Sequence, residues 1–319
     1  FLLKKRRKET AEINTLPMLE FREITLADRE IFARYTGHTH SAYDSFAYWY
    51  AWGAGRNMLF ATDERALYLQ TRYVSGERYE FVAPLVRDPE ASVAPALEVV
   101  RSLMGEQPVL WTPECTKRLI ERDCPGLMEF EVEREFAEYI YRVQDLIELE
   151  GHEYRSKRNR IRSFTKKHPD LVYHPYTLDY LQACLDLDRD WDRSKVMEIV
   201  EEQPERMARQ VERQALERAL GHYEEIGAKG CVITEGERVV GFSLGCETPD
   251  DMVIIHFEKC HPEYRDMYAW LNREFLVREW SHLTYVDREE DIGDIGLRTA
   301  KLSYRPCAFA NHYQGRFVG

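Results

Sequence analysis

GLRTAKLSYRP, residues 296 to 306, is the stretch from which the fold can be worked out. It places Arg298 and Lys301 one helical turn apart, so both cations can face a single anionic group. Gly293 and Gly296 stand just before them and permit tight turns or positive φ. The stretch therefore predicts a tightly turned segment with a cationic face near the end of the chain.

The residues before this stretch predict a buried strand followed by an acidic loop. Leu283 to Val286 is apolar enough for a short buried strand. Loops at strand ends are where α/β proteins place ligands. We therefore expect the loop's carboxylates to receive an amine-bearing substrate, and they are Asp287, Glu289, Glu290 and Asp291. The alternative is a surface loop with ordinary ion pairs.

Met252 to Cys260 predicts another strand, with a histidine and a glutamate two residues apart. Strand alternation puts four side chains on one face, those of Ile254, His256, Glu258 and Cys260. We expect His256 and Glu258 to act as acid/base groups or to hold an ammonium group. No second ligand cluster supports a metal site. The alternative is that both side chains lie at the solvated end of the strand.

A basic helix is predicted from Tyr154 to Lys167, with seven Arg or Lys side chains in an otherwise acidic chain. One face of this helix is partly apolar and would carry Arg158 towards a pocket, and its members are Tyr154, Arg158, Ile161 and Arg162. Another face could hold phosphates, through Lys157, Arg160, Ser163 and Lys167. The alternative is a solvated charged helix.

The segment from Tyr43 to Trp52 is rich in aromatic residues. Its density of Tyr, Phe and Trp favours a packed helix or loop. A wall of a substrate pocket is the second interpretation.

Composition limits the classes of protein to which the chain can belong. Its 319 residues, 44% of them hydrophobic, suffice for two domains with real cores. The net charge of −12 argues against binding double-stranded DNA over the whole surface. Seven irregularly spaced cysteines indicate reduced thiols in a cytoplasmic protein and no zinc site. No apolar stretch reaches the length of a membrane span.

The order of the predicted elements suggests two halves of similar design. The first half reads β-α-β-β-β-α-β-α-β, and the second also combines a helix, a hairpin, a strand, a helix and a strand. Helices covering a mixed central sheet in each half make an α/β or α+β fold. We expect domains at 18–147 and 148–319. Residues 1–17 are interpreted as a disordered extension, with the basic edge of a membrane span as the alternative.

Two motifs resemble those of a known family. Residues 296 to 306 match the pattern G-L-R-x-x-K-x-x-Y-x-P near the end of the phosphatidylglycerol lysyltransferase catalytic domain. Residues 145 to 164 resemble a hallmark of uncharacterised soluble relatives of that domain, and the basic helix is similar to one in Fem-type peptidoglycan aminoacyltransferases. The matching positions of this second motif are Asp145, Leu146, Ile147, Gly151, Tyr154, Lys157, Arg158, Asn159, Ile161 and Phe164.

The resemblance implies two tandem acetyltransferase-like (GNAT) folds and transfer of an amino acid from aminoacyl-tRNA to a lipid or peptidoglycan acceptor. Carried over by position, Arg298 and Lys301 would lie at the reaction pocket, binding the 3′ end of the tRNA or stabilising an oxyanion. Lys157 and Arg158 would hold phosphates. Asn159 and Tyr304 belong to the same motifs and are expected to bind substrate.

The sequence departs in two places from the patterns of related transferases, and each departure limits the substrates that we expect. Coenzyme A-dependent acetyltransferases carry a glycine-rich loop before a helix that cradles pyrophosphate, and here Tyr268 stands at the glycine's place. Acetyl-CoA is therefore disfavoured, and no cofactor is expected. Lipid-directed members carry membrane spans before the catalytic domain, and the sequence shows none.

The sequence thus predicts a cytoplasmic acyl- or aminoacyltransferase, with peripheral membrane association as an option. Its acceptor would be a small molecule or a lipid head group. A non-catalytic ligand-binding module and a coenzyme A-dependent N-acyltransferase are the alternatives.

Overall fold

A computed structural model describes residues 19–72, 79–104, 110–196, 203–264 and 266–318. The strands are β1 (Arg22–Glu23), β2 (Leu59–Thr62), β3 (Ala66–Arg72), β4 (Tyr79–Val86), β5 (Leu110–Pro113), β6 (Met128–Val132), β7 (Glu138–Arg142), β8 (Leu171–Pro175), β9 (Ala228–Glu235), β10 (Arg238–Thr248), β11 (Met252–Cys260), β12 (Tyr285–Asp287), β13 (Ala308–Ala310) and β14 (His312–Phe317).

The α-helices are α1 (Arg29–Phe32), α2 (Phe46–Gly53), α3 (Ala94–Leu103), α4 (Glu114–Asp123), α5 (Val143–Glu148), α6 (Arg155–Lys167), α7 (Leu181–Val196), α8 (Gln203–Gly221), α9 (Met267–Phe275) and α10 (Ile295–Leu302). Short 3₁₀ turns cover Leu26–Asp28, Ala42–Asp44, Arg134–Phe136 and Leu178–Tyr180, and a π-helical turn covers Leu276–Trp280.

Two mixed sheets of seven strands each form the scaffold. The first has the order β1-β2-β3-β4-β5-β14-β6, with β4 and β5 parallel. The second has the order β13-β7-β12-β11-β10-β9-β8, with β11 and β12 parallel. The mixed sheets with their helices confirm the predicted α/β class and tandem GNAT-like arrangement.

The two sheets exchange strands. The last strand, β14, inserts between β5 and β6 of the first sheet. Strand β7 comes from the first half of the sequence but pairs with β12 and β13 of the second sheet. No single cut in the sequence therefore separates the sheets, and a division between residues 147 and 148 leaves β7 on the side opposite to its pairing partners. Because of this exchange, β7 and β14 connect the two halves, and we call the region between the two sheets the junction.

The aromatic segment forms helix α2, which is buried on nearly every side, as its apolar composition requires. Its Trp49 and Tyr50 share one core with Leu216 of α8 and Phe242 of β10. The interpretation as a packed helix is confirmed. Because α2 packs against the second half, Ser45, which directly precedes α2, lies between the two halves.

Most predicted elements of the second half are confirmed. The hairpin of β9 and β10 turns at Gly236, whose φ is +62°. The basic helix is α6. The loop predicted from Asp287 to Gly296 is shorter than expected, because Asp294 accepts a hydrogen bond from the Leu297 backbone amide and starts α10. Residues 1–17, which were interpreted as a disordered extension, lie outside the described residues.

None of the helices in the described ranges combines the length and the apolar character that crossing a bilayer requires.

Candidate functional site

We call the place where β11 and β12 stop pairing the crevice. The two strands pair from Met252 with Tyr285 to Ile254 with Asp287, and there β12 ends. Strand β11 continues to Cys260. The carboxyl ends of parallel strands are the usual place for ligands in α/β sheets. The acidic loop 288–294 leaves the sheet at this point and borders the crevice.

A β-bulge in β11 aims the histidine of this strand. Leu244 of β10 pairs with Phe257 and the next residue, Gly245, pairs with Ile255, so His256 is the extra residue. A Cβ atom at Gly245 would stand 2.9 Å from the Ile254 carbonyl oxygen, so a residue without a side chain is required there.

The bulge overturns the expectation that His256 and Glu258 share a face. The His256 side chain turns to the first half, as does that of Phe257, which stacks on Trp52 at a centroid distance of 6.1 Å. Glu258 lies on the opposite face, where the Asn272 amide is 3.4 Å from its Oε2. The simple alternation was wrong because two consecutive residues of the bulge project to one side.

His256 is held between two side chains from different parts of the chain. Its Nε2 lies 2.8 Å from the Ser45 hydroxyl and its Nδ1 lies 2.7 Å from Glu289 Oε1. The His256 side chain is only 2% exposed and that of Glu289 15% exposed. With Nδ1 protonated towards the carboxyl group, Nε2 is free to accept the proton of the serine.

A buried carboxyl pair, Glu138 and Asp287, lies near Glu289. Glu138 accepts a hydrogen bond from the Ala42 backbone amide at 2.9 Å and lies 3.0 Å from His312 Nε2. Burial raises the pKa of Glu138 to about 8. Burial, and then the charge of Glu138, raises the pKa of Asp287 well above its ordinary value. Two adjacent buried carboxyl groups cannot both ionise cheaply, so the pair holds a proton at neutral pH.

His312 is neutral in this environment. Burial lowers its pKa to about 4. Since Glu138 also keeps its proton at neutral pH, the contact between them is a hydrogen bond between neutral groups and not an ion pair. The ring stacks on Trp111 at 5.4 Å.

The two cations of the C-terminal motif hold the acidic loop. Lys301 is 8% exposed, and its ammonium donates to the carbonyl oxygens of Arg288 and Glu289 at 2.6 and 3.0 Å and to that of Glu290. Arg298 donates twice to the buried carboxylate of Asp291, at 2.9 and 2.8 Å. Arg298 and Lys301 are thus one turn apart, as predicted, but both bind groups of the protein itself.

Asp291 is the centre of this anchor. Its Oδ2 also accepts from the Tyr139 hydroxyl at 2.6 Å and from Arg134 at 3.2 Å. Burial opposes its ionisation, but the hydrogen bonds from Arg298 and Tyr139 outweigh it and lower the pKa of Asp291. It is therefore a paired anion and not a free acceptor for an amine.

The other side of the crevice is basic. The Lys157 ammonium lies 3.6 Å from the Tyr304 ring centroid and 2.6 Å from the Ser303 hydroxyl. Arg288 lies 5.3 Å from the same ring and 3.0 Å from Glu258. Burial, and then the charges of Arg288 and Arg160, lower the pKa of Lys157 to about 8. Such crowding of cations favours a bound anion.

The remaining predicted residues of α6 differ in placement. The guanidinium of Arg158 donates to the carbonyl oxygens of Leu149 and Gly151, where it closes the end of α5. The expectation that it points to a pocket is therefore wrong, because those carbonyls stand within its reach. Asn159 is exposed.

Ser45, Glu138 and His312 were missed from the sequence. Ser45 precedes an apolar helix and is indistinguishable from an ordinary helix cap. Glu138 and His312 lie on strands that the exchange between sheets brings together, and no local pattern signals this. Across the described residues, no group of three or more His, Cys, Asp and Glu side chains has a metal-binding arrangement.

Comparisons with known proteins identify the family of the chain and the fold that it shares. The family model of the phosphatidylglycerol lysyltransferase C-terminal domain matches residues 35–314. The chain belongs to this family. No curated protein sequence matches significantly.

Among solved structures, a conserved protein of unknown function from Bacteroides thetaiotaomicron is 28% identical, with a TM-score of 0.83 over 94% of this chain and 100% of that one. The L-PGS structure from Bacillus licheniformis is 13% identical, with a TM-score of 0.62 over 93% of each chain. FemX is 8% identical, with a TM-score of 0.60 over 94% of this chain and 97% of that one. The last two likenesses show the shared fold.

Proposed function

We propose that the protein transfers an aminoacyl group from aminoacyl-tRNA to an acceptor that carries an amine or a hydroxyl group, and that the reaction takes place in the crevice between β11 and β12. Membership of the lysyltransferase family supports aminoacyl transfer as the reaction class. The observation that carries the proposal is the position of His256, which is fixed between Ser45 and Glu289 at 2.8 and 2.7 Å.

His256 is the acid/base group of this proposal. Its Nε2 takes a proton from the attacking nucleophile, and Glu289 stabilises the imidazolium that forms. A positioned general base contributes about 10²- to 10⁴-fold to a rate. Glu258, on the other face of β11, takes no part in this proton transfer.

The acidic side of the crevice suits the ammonium group of an amino acid. Burial raises the pKa values of Glu138, Asp287 and Glu289, and the charges of neighbouring carboxyl groups raise them further. A cation placed among them would favour their ionised forms and would be bound in exchange for protons. Glu290, on the same loop, extends this surface.

The basic side suits the phosphates at the 3′ end of the tRNA. Lys157 and Arg288 face the Tyr304 ring, and Arg160 lies near enough to lower the pKa of Lys157. A phosphate would relieve this repulsion, and the buried Tyr304 ring holds both cations in place for it. Asn159 would extend this contact at the exposed surface of α6.

Arg298 and Lys301 position the loop in this account. Because their polar atoms bind Asp291 and three loop carbonyls, they fix Glu289 relative to His256. They act through the loop and not by touching an oxyanion.

Acetyl-CoA is not the donor in this proposal, and no other cofactor is required. Helix α9 starts after Asp266, which has a φ of +69° and carries a carboxylate at the helix start, and Tyr268 occupies the first turn. A carboxylate and a bulky ring at this place disfavour a pyrophosphate.

A thermal-shift titration tests the donor. The ligands are a non-hydrolysable 3′-lysylamido-3′-deoxyadenosine 5′-phosphate, AMP and acetyl-CoA. We expect the lysylated analogue to raise the unfolding midpoint more than AMP, since a ligand at 100 times its Kd stabilises the native state by about 2.7 kcal/mol. Lys157→Ala should weaken both adenosine ligands.

Exposed Arg155 provides the matched control, so Arg155→Ala should leave binding unchanged. Binding of acetyl-CoA without binding of the lysylated analogue would overturn the proposal. The acceptor is then sought by offering free amines and phospholipid vesicles in separate arms.

A further inference from the structure

Ser45 stands at the start of α2, where a serine ordinarily accepts a hydrogen bond from the first turn of the helix. Here the hydroxyl makes no such cap bond, and instead lies 2.8 Å from His256 Nε2. A cap of this kind stabilises the start of a helix. In this fold the cap bond is absent, and the Ser45 hydroxyl instead contacts the imidazole of His256, 211 positions away in the sequence.

Ser45, His256 and Glu289 are arranged in the order of groups that activates a serine nucleophile. A hydroxyl, an imidazole and a carboxyl group lie in sequence, with hydrogen-bond distances of 2.8 and 2.7 Å. The same order of groups activates serine in unrelated hydrolase folds, where it is recognised by geometry and not by sequence position. In this chain the three groups come from the start of α2, the bulge of β11 and the loop after β12.

The first backbone amides of α2 lie next to Ser45 in the sequence. Within the described part of the chain, the amides of Phe46 and Ala47 meet no acceptor, whereas that of Tyr48 is used by the Ser45 carbonyl oxygen. Free amides at a helix start face negative charge favourably. An amide directly after the nucleophile is a known source of an oxyanion hole.

We propose that Ser45 is a nucleophile that accepts the acyl group covalently. Only the identity of that group, an aminoacyl moiety, rests on the proposed function. Ser45 Oγ forms a bond to the ester carbonyl carbon while its proton passes to His256 Nε2. The bond between that carbon and the ribose oxygen then breaks, and the departing oxygen takes the proton from His256.

The second half of the reaction reverses these roles. The amine or hydroxyl of the acceptor attacks the acyl carbon and passes a proton to His256. Ser45 Oγ leaves and recovers that proton. No further reactant is needed, and the protein returns to its starting state. Transfer through Ser45 is therefore a double displacement with an acyl-enzyme intermediate.

Diisopropyl fluorophosphate tests the nucleophile without any assumption about the donor. It is chosen for its small size, because Ser45 is only 4% exposed. The native full chain is incubated with the probe, and adducts are located by intact-mass and peptide mass spectrometry. We expect one adduct on Ser45, absent in Ser45→Ala and at least about 100-fold slower in His256→Ala.

Ser243 provides the matched control. It is a serine that is 1% exposed and whose hydroxyl meets no hydrogen-bond partner among the described residues. Ser243→Ala should be labelled at Ser45 as fast as the unaltered protein. Glu289→Gln serves as a second variant if His256→Ala does not fold, and it should slow labelling by about 10-fold or more. No adduct on Ser45, or an equal rate in a folded His256 or Glu289 variant, overturns the proposal.

A quenched reaction with aminoacyl-tRNA separates this inference from the proposed function. Transfer to an acceptor without an aminoacyl adduct on Ser45, and without labelling by the probe, retains the function and refutes the nucleophile. Labelling of Ser45 with no transfer from any aminoacyl-tRNA retains the nucleophile and refutes the donor.

Discussion

Removal of the Arg298 side chain tests whether this residue stabilises the acidic loop or takes part in catalysis. In Arg298→Ala, the Asp291 carboxylate, which is 0% exposed, loses two charge-assisted hydrogen bonds of 2.9 and 2.8 Å. Such bonds contribute about 1.5 to 3 kcal/mol each. Arg298 is one-third exposed, and Arg134, Tyr139 and Gly293 still donate to the carboxylate. Solvent screening and these remaining partners reduce the loss to about 2 kcal/mol.

Urea unfolding at neutral pH measures this change in the free energy of unfolding. Arg118→Ala is the matched control, because Arg118 is 73% exposed and pairs with Glu114 on the surface of α4. We expect about 0.5 kcal/mol or less for that pair. A double-mutant cycle of Arg298→Ala with Asp291→Asn should give a coupling energy of about 1 to 2 kcal/mol. If the effects of Arg298→Ala and Asp291→Asn on the free energy of unfolding are additive, or if Arg298→Ala costs no more than Arg118→Ala, the Arg298–Asp291 pair does not stabilise the loop.

Three further predictions concern the loop, the carboxyl pair and the basic side. Lys301→Met leaves the loop carbonyls without their buried donor, so proteolysis within 288–294 should become at least about 10-fold faster, whereas Lys166→Met on the exposed end of α6 should not change it. Glu138 has a folded pKa raised to about 8, so its neutral form is favoured in the fold, and its stabilising contribution is complete below about pH 4.5 and is lost as pH rises through 8. The free energy of unfolding should therefore fall by up to about 1.4 kcal/mol per pH unit from this group, and Glu138→Gln should flatten the profile measured in urea between pH 5 and 9; an unchanged slope contradicts it. Lys157→Ala should reduce the slope of logarithmic tRNA affinity against logarithmic salt concentration by about 0.7, measured by filter binding, and an unchanged slope would place the phosphates elsewhere.

The fold was predictable where its signals are local. Gly236 between two apolar runs predicts the hairpin of β9 and β10, and the density of Arg and Lys predicts the helix α6. The family motifs then supplied the two GNAT-like halves. The exchange of β7 and β14 was not predictable, because a strand's period fixes its faces but not which sheet it joins.

The site was predictable in part. His256, Glu289 and Lys301 were singled out from the sequence, and the structure brings them together around one loop. The face assigned to Glu258 was wrong because a one-residue bulge shifts the alternation beyond it. The sequence offers a hint of this in Gly245, since a glycine inside a strand pattern often marks a bulge.

Residues recruited across the junction could not be found by pattern alone. Ser45 is 211 positions from His256, and Glu138 is 174 positions from His312. Their contacts depend on how α2 and the exchanged strands pack. The seemingly free cations Arg298 and Lys301 show the reverse case, since their spacing predicted a shared face but not that the loop itself would satisfy them.

The rate of aminoacyl transfer by the His256 variant decides whether His256 is the acid/base group of the reaction. Unaltered protein, His256→Ala and His174→Ala are each mixed with a pool of radiolabelled aminoacyl-tRNA and an acceptor, either a free amine or phospholipid vesicles, and the label that leaves the tRNA is followed under single-turnover conditions. His174 is a half-buried histidine that bonds Thr234 at 3.0 Å, which makes it a matched control. We expect transfer at equal rates by the unaltered protein and His174→Ala, and a loss of at least about 100-fold in His256→Ala. Transfer at an unchanged rate by His256→Ala, or its absence with the unaltered protein and every acceptor, would contradict it.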